Sequence, residues 1–340
     1  MTALADPVAA LCARNSAGPA PPRAPGSVRR TSTIDVGWPD GPWGDMAFTA
    51  RARDIVTPLA GGAPQVCAED GFEATIDRDR TIVAIRTFPH RAGEARLAGH
   101  RGGGHLRRAL EEIMPEERRE GTPLYLILDD ISGASLVSGW AWSQWTNDWL
   151  HARDGSFDEA QFARAMAERV GICVGFAPGA TVHRLGAGRR PSSGAPTCDL
   201  RDPHDPQGWH AYAEQQGVGL RRARRIDVTR GEAIVIDAAF QDSATRPDGG
   251  RQALHEYRIM ARVTPDTLGI TAIEAEPRVL PFPECPGASR TLDRLIGAPL
   301  GDLRAIVLER LRGTAGCTHL NDALRALAEV PRLVSLLDQP

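Results

Sequence analysis

The sequence predicts an α+β fold of two tandem repeats, each an antiparallel four-stranded sheet with helices on one face, the pair related by a pseudo-two-fold. Three observations predict it. Matches recur in one order along the chain: Val28–Val36 with Leu220–Val228, Thr81–Pro89 with Gly269–Pro277, Leu97-Ala98-Gly99 with Leu295-Ile296-Gly297, and Leu128-Asp129-Asp130 with Leu320-Asn321-Asp322. In each copy extended segments bounded by turn residues come first and helical periodicity comes last. At 340 residues the chain exceeds the comfortable size of one core and suits two domains of roughly 100–150 residues.

Residues 1–27 end in a Gly/Pro/Ala run whose composition cannot offset its ordering entropy, so a disordered lead-in is expected. The first repeat, 28–137, holds extended segments near 29–37, 45–56, 70–77 and 80–88, with turns at Pro39-Asp40-Gly41 and Arg78-Asp79-Arg80. Leu106, Leu110 and Ile113 recur at helical spacing before Pro115, and an apolar run over 123–137 closes the repeat. Residues 138–219 form an insert with four of the seven tryptophans, of which Trp142, Trp145 and Trp149 share one helical face. A helix at 158–169 and a Gly/Pro-rich loop at 186–209 follow. The second repeat, 220–340, pairs 226–228 with 233–240 and 254–263 with 268–276, then adds helices at 301–312 and 318–329.

All forty basic residues are arginine, which excludes a Schiff base, a pyridoxal phosphate linkage and a phosphate-loop lysine. With a net charge of −3 and no arginine block interleaved with aromatics, nucleic acid is not an expected partner. No stretch approaches 18 continuous apolar residues and no export signal opens the chain, so a cytoplasmic protein without a membrane span is expected. Six scattered cysteines without a Cys-x-x-Cys pair suit reduced thiols.

Chemistry concentrates in Gly316-Cys317-Thr318-His319-Leu320, a polar run opposite the structural Tyr125, Leu126 and Ile127 of the first repeat. Thr318 at an N-cap would set Cys317 and His319 at the positive end of a helix dipole, lowering the thiol pKa. Cys285, Cys317 and His319 also form a candidate soft metal site, against which stands the reading of buried structural cysteines. On one strand His255 and Tyr257 share a face and Glu256 and Arg258 the other; the latter pair either clamps a carboxylate or is a surface ion pair. His100 and His105 lie in a glycine-rich loop lacking a nucleotide-binding pattern, which reads as a connector. The tryptophans read as core or as the wall of a planar ligand's pocket.

Leu254–Arg258, Pro281–Pro286, Leu295–Gly297 and Gly316–Leu320 together resemble an uncharacterised bacterial family, domain of unknown function 2889, from about residue 220 onward. Proteins resembling that family occur in bacteria that degrade aromatic compounds, so the resemblance implies aromatic catabolism and, in one concrete form, a lyase that releases formaldehyde from a lignin-derived dimer. The strand order, an Asp-Ala pair, Leu-x-Gly before a helix and Cys-x-x-Leu opening the last one also resemble scaffold proteins of iron–sulfur cluster assembly. Those scaffolds use three cysteines and an aspartate; Cys285 and Cys317 fall near two of the positions, and the Gly-Cys pair is missing.

The combined expectation is a cofactor-free lyase or isomerase acting by proton abstraction on a small aromatic or apolar molecule between the repeats, with a homodimer as a possible assembly. His319 is the expected general base, Arg258 the carboxylate or oxyanion clamp, Glu256 a proton carrier and Cys317 a further catalytic group. His255, Tyr257, Thr318, Trp142, Trp145 and Trp149 are the expected substrate contacts. The alternative is a non-catalytic metal-binding or iron–sulfur carrier protein with Cys285, Cys317 and His319 as ligands.

Overall fold

Eight long β-strands and one two-residue strand form a single antiparallel sheet in the computed structural model, which describes residues 16–146, 159–184 and 194–338. The strands are β1 (Ser27–Gly37), β2 (Met46–Thr57), β3 (Gln65–Ile76), β4 (Ile82–Phe88), β5 (Ala195–Pro196), β6 (Gly219–Arg230), β7 (Ile234–Thr245), β8 (Arg251–Val263) and β9 (Ile270–Val279). Their order is β4-β3-β2-β1-β6-β7-β8, with β9 and the short β5 sharing the outer edge of β8. The expected pair of separate four-stranded sheets is therefore wrong. β1 and β6 pair along their whole length, from Ser27↔Thr229 to Gly37↔Gly219, and fuse both meanders into one nine-stranded sheet. The physical reason is edge satisfaction: two separate sheets would each expose a long edge of unpaired N–H and C=O groups, and joining them removes both.

The helices are α1 (Gly104–Ile113), α2 (Pro115–Glu120), α3 (Pro123–Val137), α4 (Trp140–Ser143), α5 (Glu159–Ala167), α6 (Leu303–Arg310), α7 (Thr318–Arg325) and α8 (Val330–Leu337), interspersed with 3-10 turns. Pro123 at the first position and the Thr122 hydroxyl accepting from the Tyr125 N–H start α3. α3 is buried on nearly every side, so its apolar residues are not confined to one face, and its two aspartates, Asp129 and Asp130, are buried with them.

Two apolar clusters result. One joins β1–β4 to α1 and α3 through Ile34, Phe48, Phe72, Leu110 and Leu128; the other joins β6–β9 to α6–α8 through Ile236, Phe240, Ile259, Leu303 and Leu324. β1 is buried on both faces. Arg30 and Val28 face the helices, whereas Arg29 donates to the carbonyls of Pro21 and Gly208, and Thr31 and Thr33 bond the two ring nitrogens of His210.

Residues 16–26 correct the expectation of a disordered lead-in over 1–27; residues 1–15 lie outside the described part. This proline-rich segment lies along the sheet: Ala20 N–H donates to Leu200 O, and Arg23 forks onto Asp205. Proline removes donors that would otherwise need partners, so an extended cover strand costs less here than its composition suggests. Among the described residues no helix is long and apolar enough to cross a membrane.

Candidate functional site

The site grows from cross-strand neighbours. Arg222 on β6 pairs in register with Asp242 on β7, which pairs in register with His255 on β8. All three point to the helix side, where the first turn of α7 brings His319 over them. Arg222 forks onto Asp242, Nε to Oδ1 at 2.8 Å and Nη2 to Oδ2 at 3.0 Å, with both side chains fully buried. The His255 Nδ1 lies 3.3 Å from Asp242 Oδ2. His319 stacks on His255 with ring centroids 3.4 Å apart and a 16° interplanar angle, and the Phe240 ring lies 6.5 Å away at 27°. The guanidiniums of Arg222 and Arg224 sit 5.0 and 4.7 Å from the centre of the same Phe240 ring.

One donor atom from each of Asp242, His255 and His319 lies within 4.8 Å of the others, the one such trio of ligand-type residues among the described residues. The charge states suit ligation. Burial alone would raise the Asp242 carboxyl, but the Arg222 guanidinium and the hydrogen bonds from His255 and Arg222 outweigh it and hold the group well below the ordinary range. Burial pushes His255 below its ordinary value, partly offset by Asp242. Burial, then His255 and the arginines, holds His319 well below its own, so both imidazoles are neutral. The buried Nε2 of His319 has no hydrogen-bond partner among the described residues.

A buried ionic network holds the trio's frame. The third nitrogen of Arg222 reaches Asp322 on α7 at 3.4 Å and Asp130 on α3 at 3.7 Å, and Arg224 forks onto Asp130. Gly133 makes the approach possible: a Cβ there would lie 1.8 Å from Arg222 Nη1.

The expected residues divide between the two faces of the sheet. His319, Thr318, Cys317, His255 and Tyr257 gather on the helix side. Glu256 and Arg258 lie on the other side, as strand alternation requires, so they cannot act with His319 on one molecule across a packed sheet. There Arg258 forks onto Asp237, and Glu256 accepts from Ser16 Oγ, Ala17 N–H and Gln241 Nε2.

The cysteines correct a second expectation. Cys317 itself occupies the N-cap position of α7, with no side-chain cap from Thr318, whose hydroxyl instead lies 3.3 Å from His319 Nδ1. Burial pushes the Cys317 thiol up to about 11, against the lowering expected from the helix end, because desolvation outweighs the backbone N–H contacts. Burial likewise raises the Cys285 thiol well above its ordinary value, and Cys285 and Cys317 belong to the apolar core rather than to the trio. Tyr257, fully buried, lies beside them with its hydroxyl raised well above its ordinary value by burial.

Trp142 packs edge-on against Trp38, Trp145 Nε1 donates to Thr245 O, and Trp149 lies outside the described residues. α4 is a single turn, too short for the shared face that the spacing predicts. The glycine-rich loop of His100 and His105 is a turn beside β4 leading into α1.

Sequence reasoning missed Asp242, Arg222 and Arg224. Their only signal is alternation: Arg222-x-Arg224 and Phe240-x-Asp242 put charge on the face that the apolar residues of the same strands mark as inward. No curated protein and no solved structure matches the chain. Residues 220–332, from β6 into α8 and including Asp242, His255 and His319, match the model described as "Protein of unknown function (DUF2889)", and this C-terminal region belongs to that family.

Proposed function

We propose that Asp242, His255 and His319 bind a divalent first-row transition-metal ion, so that the C-terminal half is a metal-binding module. The observation that carries this reading is a two-imidazole, one-carboxylate trio, with Asp242 and His255 buried and His319 half-buried, in which the buried His319 Nε2 has no other partner among the described residues. Neutral imidazole and ionised carboxylate are the forms such an ion takes, and the donor set suits zinc or ferrous iron better than magnesium or calcium. The Arg222 fork leaves Asp242 lone pairs free, since a carboxylate offers about four acceptor sites. Metal–ligand bonds of roughly 2.0–2.2 Å set donors closer than the present spread, so loading draws the His319 ring toward Asp242.

Elemental analysis of untagged protein and calorimetric titration with zinc test the reading. One equivalent is expected, lost in His255→Ala and His319→Ala and retained in Cys317→Ser. Absence of binding by the wild type, or loss in Cys317→Ser alone, defeats it.

A second reading is metal-free proton abstraction by His319 in a lyase or isomerase acting on a small apolar or aromatic molecule. The same neutral, unpartnered Nε2 favours it. It predicts turnover that survives exhaustive chelation and falls by roughly 10²–10⁴ in His319→Ala. Arg258 and Glu256 have no part in this version.

A further inference from the structure

On the face of the sheet opposite the trio, the proline-rich segment and the sheet enclose a cavity of about 230 Å³. Its walls are mostly apolar, with Pro19, Leu200, Trp209 and Ala239 facing Glu256 and Arg278. We infer that this cavity binds a small apolar monocarboxylate, whose carboxylate is taken by the Trp209 indole N–H and the Arg278 guanidinium.

The unspent polar valences point to the ligand's chemistry. Trp209, only 4% exposed, has no acceptor for its indole N–H among the described residues, and the buried Nε of Arg278 has none there either. Buried donors left unpaired are costly, and two in one cavity call for an acceptor. The other charged groups are engaged. Arg225 bonds Asp227 and Asp237, Arg258 forks onto Asp237, and Glu256 accepts from the proline-rich segment and Gln241. Arg278 has one ion pair, through Nη2 to Glu276 at 3.0 Å, which leaves its Nε edge open. The volume falls below the roughly 300–1,000 Å³ of drug-sized pockets, which favours a one-ring or short aliphatic acid.

Benzoate is the probe, titrated into the full-length protein by calorimetry with Trp fluorescence as a second readout, and benzyl alcohol is the neutral comparison. Benzoate should bind one-to-one and raise Tm, and benzyl alcohol should bind roughly tenfold or more weakly, as loss of a charge-assisted pair implies. Arg278→Leu should weaken benzoate by a similar factor, and Trp209→Phe, which keeps a ring but loses the donor, several-fold. The inference is overturned if benzoate gives neither heat nor a Tm shift. Equal affinity for the alcohol, or unchanged binding in both variants, overturns it equally. Should Arg278→Leu fail to fold, the wild-type comparison of acid and alcohol still decides.

Discussion

The two halves of the sheet build the same arginine–aspartate fork and then diverge at the next strand. In the first half Arg30 on β1 pairs with Asp54 on β2, which pairs with Ala68 on β3; in the second Arg222 pairs with Asp242, which pairs with His255. Both forks are fully buried, both are followed by a register shift at the aspartate, and both send the third guanidinium nitrogen 3.4 Å to a helix acid, Glu329 or Asp322. The turns agree too: Gly99 and Gly297, both with positive φ, donate to the carbonyls of Ile82 and Ile270. A shared frame that gains two histidines on one side teaches that the fork is scaffolding and the imidazoles are the addition.

The largest expected effect tests the frame. Asp54→Ala and Asp242→Ala each remove the bidentate partner of a buried guanidinium, leaving only its longer contacts to helix acids, and each should cost about 3–5 kcal/mol in urea denaturation. Unequal costs would break the equivalence of the two forks.

Metal sharpens the difference between them. Zinc at a hundredfold excess over its Kd should stabilise the wild type by about 2.7 kcal/mol and leave His319→Ala unmoved, while Asp54 variants that fold should respond as the wild type does. A zinc response surviving in His319→Ala places the ion elsewhere.

Gly133→Ala should cost about 1–3 kcal/mol, since the new methyl meets the Arg222 guanidinium. A neutral outcome means that α3 can retreat from the fork.

The last test turns to the opposite face, where Thr31 and Thr33 of β1 hold His210 and β6 instead faces the cavity through Ala223 and Arg225. Burial, then Arg53 and Arg221, pushes His210 down to about 3. The folded protein therefore refuses a proton that the unfolded chain accepts below about pH 6.5. This contribution is present above that pH and is lost as pH falls toward 3, at up to about 1.4 kcal/mol per unit. His210→Leu should flatten the stability–pH curve relative to the wild type, and parallel curves would show that His210 does not titrate this way.

Much of the local structure was legible. The expected strands at 29–37, 45–56 and 254–263 match β1, β2 and β8 within a few residues, and the helical spacing of Leu106, Leu110 and Ile113 before Pro115 matches α1, whereas the apolar run over 123–137 is not legible as the helix α3 that it forms. Alternation and turn chemistry act over neighbouring residues, so they survive in a one-dimensional reading. Of the candidate site, His255 and His319 were legible as chemistry-bearing residues, but Asp242 was not, because a single aspartate in a strand looks like a solvated one until its neighbours are known.

What the sequence determined by itself was the composition of each strand face, the α+β character and the location of the loaded run before α7. The tertiary structure alone decided that β1 and β6 would join two meanders into one sheet, because only pairing across 192 residues, from Ser32 to Arg224, satisfies both edges. It also decided which groups meet. Burial raised Cys317 instead of lowering it, the sheet parted Glu256 and Arg258 from His319, and packing of α7 onto β8 set His319 on His255. Each of these depends on desolvation and long-range contact, quantities that no local spacing encodes.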